Sequence, residues 1–303
     1  MANIPSWVYK ILIVFATIIW GFSFVVMKDV VAVLPPAWLL GIRFLFAGAL
    51  LLAVLHKRVA RFCSRKLITY GAILGVLDFS AFWLQTVGLE HTTPGINAFL
   101  TATYCVIVPF AWWLVARKRP TAFNIAAAVI AIAGIWLVSV TSSGETLSIG
   151  FGETMTLGCA VVFAAHIVAV SKFAQKCDAL TLTVFQFIAE GTLGVLVGAA
   201  TETFPGAAAF TPEIIGQMLF LAGFASVVAF GIQNVSLAHV PPAQASLLLS
   251  LESVFGVVFS ILLYGEQMTL RLVAGFALIF AAIVISETLP LKEKPCRRKT
   301  TSS

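Results

Sequence analysis

The chain has 303 residues, 60% of them hydrophobic and only 11% charged, with a net charge of +6. A soluble domain carries roughly 25% charged residues, so this composition excludes an ordinary water-soluble fold. The basic excess would point to nucleic acid in a soluble protein; here its meaning depends on where along the chain it falls.

A bilayer core about 30 Å thick needs roughly 20 apolar residues per helix. Ten stretches of that kind run at 8–27, 37–56, 67–89, 93–116, 122–140, 149–171, 180–201, 214–237, 241–263 and 270–289. The first has a weakly charged start and continues into WGFSFVVMK without a small-residue cleavage site, so it reads as a retained span rather than a signal peptide. It carries Trp20, a candidate for a cavity wall. The second span holds Arg43 near its start, where the guanidinium could grip a carboxylate or phosphate, or serve as an ion-pair partner or interface anchor. The basic run KRVARFCSRK (57–66) follows. In the third span Asp78 lies near mid-depth, and the span ends in QTVGLEHTTP, which brings Gln85 and His91 to a turn. The fourth and fifth spans flank the loop at RKR (117–119). The fifth, NIAAAVIAIAGIWLVS, does not alternate apolar with polar residues, which argues for helices and against a β-barrel.

His166 stands in the sixth span, where it could titrate or hydrogen-bond between packed helices. Gln186 and Glu190 follow in the seventh. The eighth ends in QNVSLAHVPP, with Gln233 and His239, and the ninth holds Ser250 and Glu252 in SLLLSLES. Ionisable groups at helix centres cost roughly 2.5 to 3.5 kcal/mol on insertion scales and face a bundle interior or a wet cavity. Arg43, Asp78, His166, Glu190 and Glu252 are therefore the candidate substrate pathway, with Trp20, Gln186 and Ser250 beside them. A buried carboxylate at Asp78 or Glu190 would also suit proton coupling, or would pair with Arg43.

With the N-terminus in the cytoplasm, 16 of the 19 Lys and Arg residues fall on the cytoplasmic side, in the segments around Lys10, 57–66, 117–119, 172–176 and the tail 290–303. This positive-inside bias predicts both termini in the cytoplasm of a bacterial inner-membrane protein and explains the basic clusters without nucleic acid. The five cysteines show no metal-ligand spacing and none lies in an outer loop, so neither a structural disulfide nor a metal is expected.

The two phrases QTVGLEHTTP and QNVSLAHVPP share Gln, Val, Leu, His and Pro at an offset of 148, and the match extends from Leu100 on Leu248 to Ile135 on Ile283. Upstream an offset of 143 sets Arg43-Phe44 on Gln186-Phe187, Trp20 on Phe163 and Ser23 on His166. Two units of five helices result, 1–140 and 149–289. Five is odd, so the second enters the membrane from the other side, which predicts an all-α membrane protein of ten helices in two inverted repeats, an arrangement of secondary transporters. Gln85 with His91 and Gln233 with His239 would then mark equivalent rims, or alternate gates, of one cavity; alternatively they satisfy backbone groups at tight turns.

WGFSFVVMK (20–28), IRF (42–44), GLEHTTPGINAFLTATYCVIVP to RKRPT (88–121), FAAHIVAVSKFA (163–174), FQF (185–187) and SLLLSLESVFGVVFSILLYGEQMT (246–269) together resemble the EamA branch of the drug/metabolite transporter superfamily. The resemblance covers nearly the whole chain. It implies ten helices around a central cavity and export or exchange of small metabolites such as amino acids. The chain departs from the pattern at Ser253, where a proline is usual, and at Lys118, where a glutamate is usual. Broad efflux of cationic drugs and a non-transporting sensor or assembly role are the competing readings. The chain lacks GxxxxGK[ST], HExxH and a G-x-S-x-G elbow in a plausible context, so neither an ATP-driven pump nor an intramembrane enzyme is expected, and no cofactor. The expected partners are a small-molecule substrate, the lipid bilayer and a coupling proton.

Overall fold

The computed structural model describes residues 5–117, 119–143, 146–174, 176–237 and 248–289. Twelve α-helical segments dominate them. They are α1 (Ser6–Val31), α2 (Pro36–Phe62), α3 (Arg65–Glu90), α4 (Pro94–Ala102), α5 (Tyr104–Ala116), α6 (Ala122–Ser139), α7 (Phe151–Phe173), α8 (Ala179–Thr201), α9 (Pro212–Leu219), α10 (Ala229–Leu237), α11 (Leu251–Phe259) and α12 (Leu270–Thr288). One feature departs from the all-α expectation: Val140–Ser143 (β1) pairs antiparallel with Thr146–Ile149 (β2), Val140 opposite Ile149, in the connection from α6 to α7. Among the described residues seven helices are long and apolar enough to cross a bilayer, and three shorter apolar helices cover Ala122–Val138, Leu251–Tyr264 and Leu270–Ser286. Their outward faces carry large apolar side chains, among them Leu114, Ile132, Leu262 and Leu270, a surface suited to lipid and not to water.

Several helices start where a side chain or a proline satisfies the first turn. Thr93 accepts the N–H of Ile96 and is followed by Pro94; Thr211 accepts from Ile214 and is followed by Pro212; Asp178 accepts from Thr181. Two apolar stretches carry an interruption. The stretch Pro94–Val115 breaks at Thr103, whose hydroxyl donates to the Leu100 carbonyl at 2.6 Å, and a turn at Ser250, whose carbonyl accepts from the Ser253 hydroxyl at 2.8 Å, precedes α11. A proline at 253 is thus not needed for a change of direction there. The α9–α10 span widens into a π-helix over Phe220–Val228, and α11 does so over Ser260–Tyr264.

With no hydrophobic effect between helices in lipid, close approach of small residues drives packing. α2 and α8 cross on Gly41, Gly48, Gly191 and Gly194. The fit is reciprocal: a Cβ on Gly48 would press on the backbone of Phe187 and Ile188, and one on Gly191 would press on that of Phe44 and Leu45. Gly134 and Gly275 do the same for α6 and α12, while Gly21 lets α1 approach the backbone of α11 and Gly256 lets α11 approach Ala98 of α4.

The α2–α8 pair is also tied at its two ends. At the end that holds the basic loops, the Arg58 guanidinium donates to Asp178 at 2.6 Å; at the opposite end, Glu202 accepts the N–H groups of Ala37 and Trp38, an anion on the N-terminus of α2. That opposite end is further sewn together around the α3–α4 turn. Lys28 Nζ donates to the carbonyls of Leu89, Glu90 and Thr92, at 2.6, 3.0 and 2.9 Å. The Thr92 hydroxyl donates to Glu153 at 2.8 Å, and Glu266 accepts from the Gly95 N–H and from the Thr93 and Ser260 hydroxyls.

Two stability predictions arise from this packing. Gly191→Ala forces the fixed backbone of α2 aside and should cost about 1–3 kcal/mol, while Gly158→Ala, whose added methyl would meet only Leu84, should leave the thermal midpoint in detergent within a degree or so of wild type. Partial burial by itself would raise the Asp178 pKa, but hydrogen bonds from Arg58 and from the Thr181 hydroxyl and N–H outweigh it and hold the carboxyl at about 2, below its ordinary 3.8. Its stabilisation is present above pH 3.8 and is lost as pH falls through about 2. Asp178→Asn, which keeps the cap, should melt below wild type at neutral pH and alongside it near pH 2; the difference should be modest because Arg58 is half-exposed.

Candidate functional site

Where α1, α2, α3, α4, the start of α5, α7, α10 and α11 converge, they line a cavity of about 100 Å³. Trp20, Phe82, Phe163 and Phe230 form its aromatic wall, and Arg43, Asp78, His166 and Glu252 bring ionisable groups to it. Gln85, Gln233 and Tyr104 complete much of the remaining polar lining.

Each polar group is held by its neighbours. The Trp20 indole N–H donates to the Ala225 carbonyl at 2.8 Å, in the π-helical segment, and its ring meets Phe230 edge-on at 5.4 Å. Arg43 is almost fully buried; its Nε donates to the Ser226 hydroxyl at 3.0 Å, Nη1 lies 3.2 Å from Met27 Sδ, and the guanidinium sits 4.7 Å and 5.2 Å from the ring centres of Phe44 and Phe82. Cation–π contact of this kind compensates for part of the charge's lost hydration. Asp78 Oδ2 accepts from Gln186 Nε2 at 2.6 Å, and Oδ1 lies 3.6 Å from His166 Nδ1, too far for a hydrogen bond. Tyr104 hydrogen-bonds the carboxyl of Glu252. Gln85 Nε2 donates to Thr101 at 3.1 Å while its backbone carbonyl accepts from Asn97 at 3.1 Å.

Of the residues proposed from sequence, Trp20, Arg43, Asp78, His166, Glu252, Gln85 and Gln233 meet at this one cavity. Gln186 stands behind Asp78 as its hydrogen-bond donor, and Glu190 is fully buried near Asp78 and Arg43 without lining the cavity. Ser250 is buried at the break preceding α11, outside the lining. His91 is exposed at the α3–α4 turn, its ring edge-on to Phe151 at 5.1 Å, and does not reach the cavity. His239 lies outside the described residues. Sequence reasoning missed Phe82, Phe230, Tyr104 and Ser226. The signal was present in the 148-residue offset, which sets Phe82 on Phe230, Asp78 on Ser226 and Tyr104 on Glu252.

Among the described residues no group of three His, Cys, Asp or Glu side chains is arranged to hold a metal. The site's chemistry is that of recognition: one guanidinium and several carboxyls, close together, against aromatic faces.

The sequence profile of the EamA-like transporter family matches this chain twice, over residues 7–140 and 150–288. An uncharacterised transporter of Archaeoglobus fulgidus is 27% identical, over 89% of this chain and 82% of its own. The uncharacterised transporter YvbV of Bacillus subtilis is 26% identical, over 97% and 96%, and protein PagO of Salmonella typhimurium 24% identical, over 95% and 96%. A solved crystal structure superimposes with a TM-score of 0.67 over 94% of this chain and 99% of that one at 17% identity, which speaks to the fold alone.

Because Gln186 supplies a hydrogen bond to a wholly buried carboxylate, Gln186→Leu should destabilise the protein by roughly 1–3 kcal/mol. A thermal melt in detergent measures it; an unchanged midpoint would mean that Asp78 does not depend on this donor.

Proposed function

Because the chain belongs to the EamA-like transporter family, we propose that it is a ten-span secondary transporter that moves amino acids or similar small metabolites by alternating access, by export or exchange. It is a multi-pass membrane protein whose partners are the lipid bilayer and a small molecule, and its family is one of transporters, not enzymes. The basic loops face the cytoplasm in this reading, with both termini.

The observation that carries the proposal is that contacts around the cavity come in matched pairs. At the offsets of 143 and 148, Arg43 corresponds to Gln186 and Asp78 to Ser226. The hydrogen bond from Arg43 to Ser226 therefore has its counterpart in that from Gln186 to Asp78. Phe44 against Phe82, at 5.3 Å, matches Phe187 against Phe230, at 5.4 Å. Trp20 against Phe230 matches Phe163 against Phe82, at 5.4 and 5.1 Å. Two antiparallel halves with interchangeable contacts have two equivalent ways to pack, which is what alternating access needs. That supports 1–140 and 149–289 as inverted repeats.

At about 100 Å³ the cavity holds roughly three waters, whereas small-molecule sites run from about 300 Å³. In this reading binding widens the cavity. Arg43 would take a carboxylate, Asp78 and Glu252 an ammonium group, and the aromatic wall an apolar side chain, which together describe a zwitterionic amino acid. One observation favours the second reading, efflux of cationic compounds: Glu252 lines the cavity with no cation beside it among the described residues.

The test is a screen of purified protein in liposomes with amino acids, organic acids and cationic dyes, with and without a pH gradient. Amino acids should move faster than in protein-free liposomes. Arg43→Ala should cut that flux on the order of 10- to 100-fold, the worth of a charge-assisted hydrogen bond. Loss of dye flux in Glu252→Gln with amino acids unmoved by wild type would favour the second reading. No compound moving above background would overturn both.

A further inference from the structure

We propose that a second cavity, on the side of α1 turned away from the first, binds one phospholipid whose headgroup ends in a primary ammonium, phosphatidylethanolamine. The site does not depend on the transport reading.

This cavity has a volume of about 470 Å³, within the range of small-molecule sites, roughly 300 to 1,000 Å³. Phe22, Val25, Val26 and Asp29 line it from α1, whereas Trp20, Ser23, Phe24 and Met27 face the first cavity. At about 100° per residue these two sets occupy opposite faces of the helix. α1 is therefore a partition between them.

The lining is graded from polar to apolar. Asp29 lies in the last turn of α1, Tyr264 just before the left-handed Gly265, and Gln217 one turn along α9 from Glu213, which stands in that helix's first turn. These are helix ends, the level at which headgroups lie. Phe22 is deeper by two turns, about 10 Å along the axis, where it meets Phe220 and Phe259 edge-on at 5.1 and 5.4 Å. An apolar floor thus sits under a polar rim, and exposed Leu263 borders it on the surface that faces lipid. Between rim and floor lies Gly216, where a Cβ would meet no atom within 4 Å. A glycine inside a helix costs about 1 kcal/mol against alanine. Among the described residues no packed neighbour requires this one, and the missing side chain leaves the cavity open.

The rim decides which lipid is held. An acyl chain gains little on leaving other chains for an apolar groove, so selectivity comes from the headgroup. Among the described residues neither Asp29 nor Glu213 has an ion-pair partner. Lys28, next to Asp29 in sequence, is committed to the carbonyls of the α3–α4 turn. Gln217 Nε2 reaches Asp29 only at 3.4 Å, and Gln217 Oε1 is buried without a donor among the described residues. Two carboxylates and an unused amide oxygen suit a cation with several N–H bonds, and a primary ammonium has three. Phosphatidylcholine brings the charge without the donors. Phosphatidylglycerol brings neither, and its phosphate is repelled.

Native mass spectrometry of the purified protein, offered the three phospholipids in equal amounts with matched chains, tests the site. Wild type should retain one phosphatidylethanolamine with about fivefold preference over either of the others, the scale of a partly exposed, charge-assisted hydrogen bond. The double change Asp29→Asn with Glu213→Gln should bring the three to parity, and Gly216→Leu, which fills the open space, should remove the retained lipid. Both variants should melt with wild type in lipid-free detergent, which separates lost binding from lost folding. The wild-type preference is read without either variant, so it decides even where a variant misfolds. Equal retention of the three lipids by wild type overturns the proposal, as does a preference that survives both substitutions. Loss of the preference to equimolar glycerophosphoethanolamine, the headgroup without its chains, would make the ligand a soluble amine and overturn the lipid assignment. A dimer of the chain in place of the lipid-bound monomer would assign the groove to a second copy and overturn it too.

Discussion

Charge is the constraint from which the rest of this structure follows. Hydrocarbon offers no solvation, so ionisable side chains on several different helices must find one another or not be there. Arg43, Asp78, His166 and Glu190 come from α2, α3, α7 and α8, yet they converge at the depth where α2 and α8 cross. That convergence requires backbones to approach closely, and the glycines at 41, 48, 191 and 194 make it possible. A methyl group on one of them would push α8 away from α2 and with it the donor of Asp78.

The polar cluster also accounts for irregularities that packing alone would not require. The π-helical turn at Phe220–Val228 presents Ser226 to Arg43 and the Ala225 carbonyl to Trp20. The break at Thr103 lies beside the cavity, between Thr101 and Tyr104, which both line it. At the two ends the arrangement differs. The α2–α8 pair is held by Arg58 with Asp178 and by Glu202, a stiff unit tied at both ends. Around the α3–α4 turn, Lys28 and Glu266 hold separate helices together through hydrogen bonds.

Much of this was legible in the sequence. Apolar stretch lengths located the seven long apolar helices found among the described residues, and the rarity of ionisable groups pointed to Arg43, Asp78, His166 and Glu252, which line one cavity. What periodicity could not reveal is depth behind a wall: Glu190 and Asp78 look alike as mid-span acids, but only Asp78 reaches the cavity. Ser250 sits only two residues before the cavity-lining Glu252, little more than half a helical turn away, and is buried outside the lining. His91 belongs to the same phrase as Gln85, yet the helix ends between them, so one is buried at the cavity and the other exposed at the surface. The β1–β2 pairing was not anticipated, since the segment 140–149 reads as the junction of two helices. Phe82, Tyr104 and Ser226 could have been found by carrying the 148-residue offset through every polar and aromatic position of the third and fourth spans.

Alternating access requires two similar halves to open one cavity to opposite sides in turn. Gln85 lies toward the end with few basic residues and Gln233 toward the basic end, and both line the cavity. The most direct measurement is the reactivity of a single cysteine at each, in a cysteine-free background, toward a membrane-impermeant thiol reagent applied from a known side, with and without a transported amino acid. Substrate should change the two reactivities in opposite directions. Reactivities that rise or fall together, or do not change, would be incompatible with alternating access.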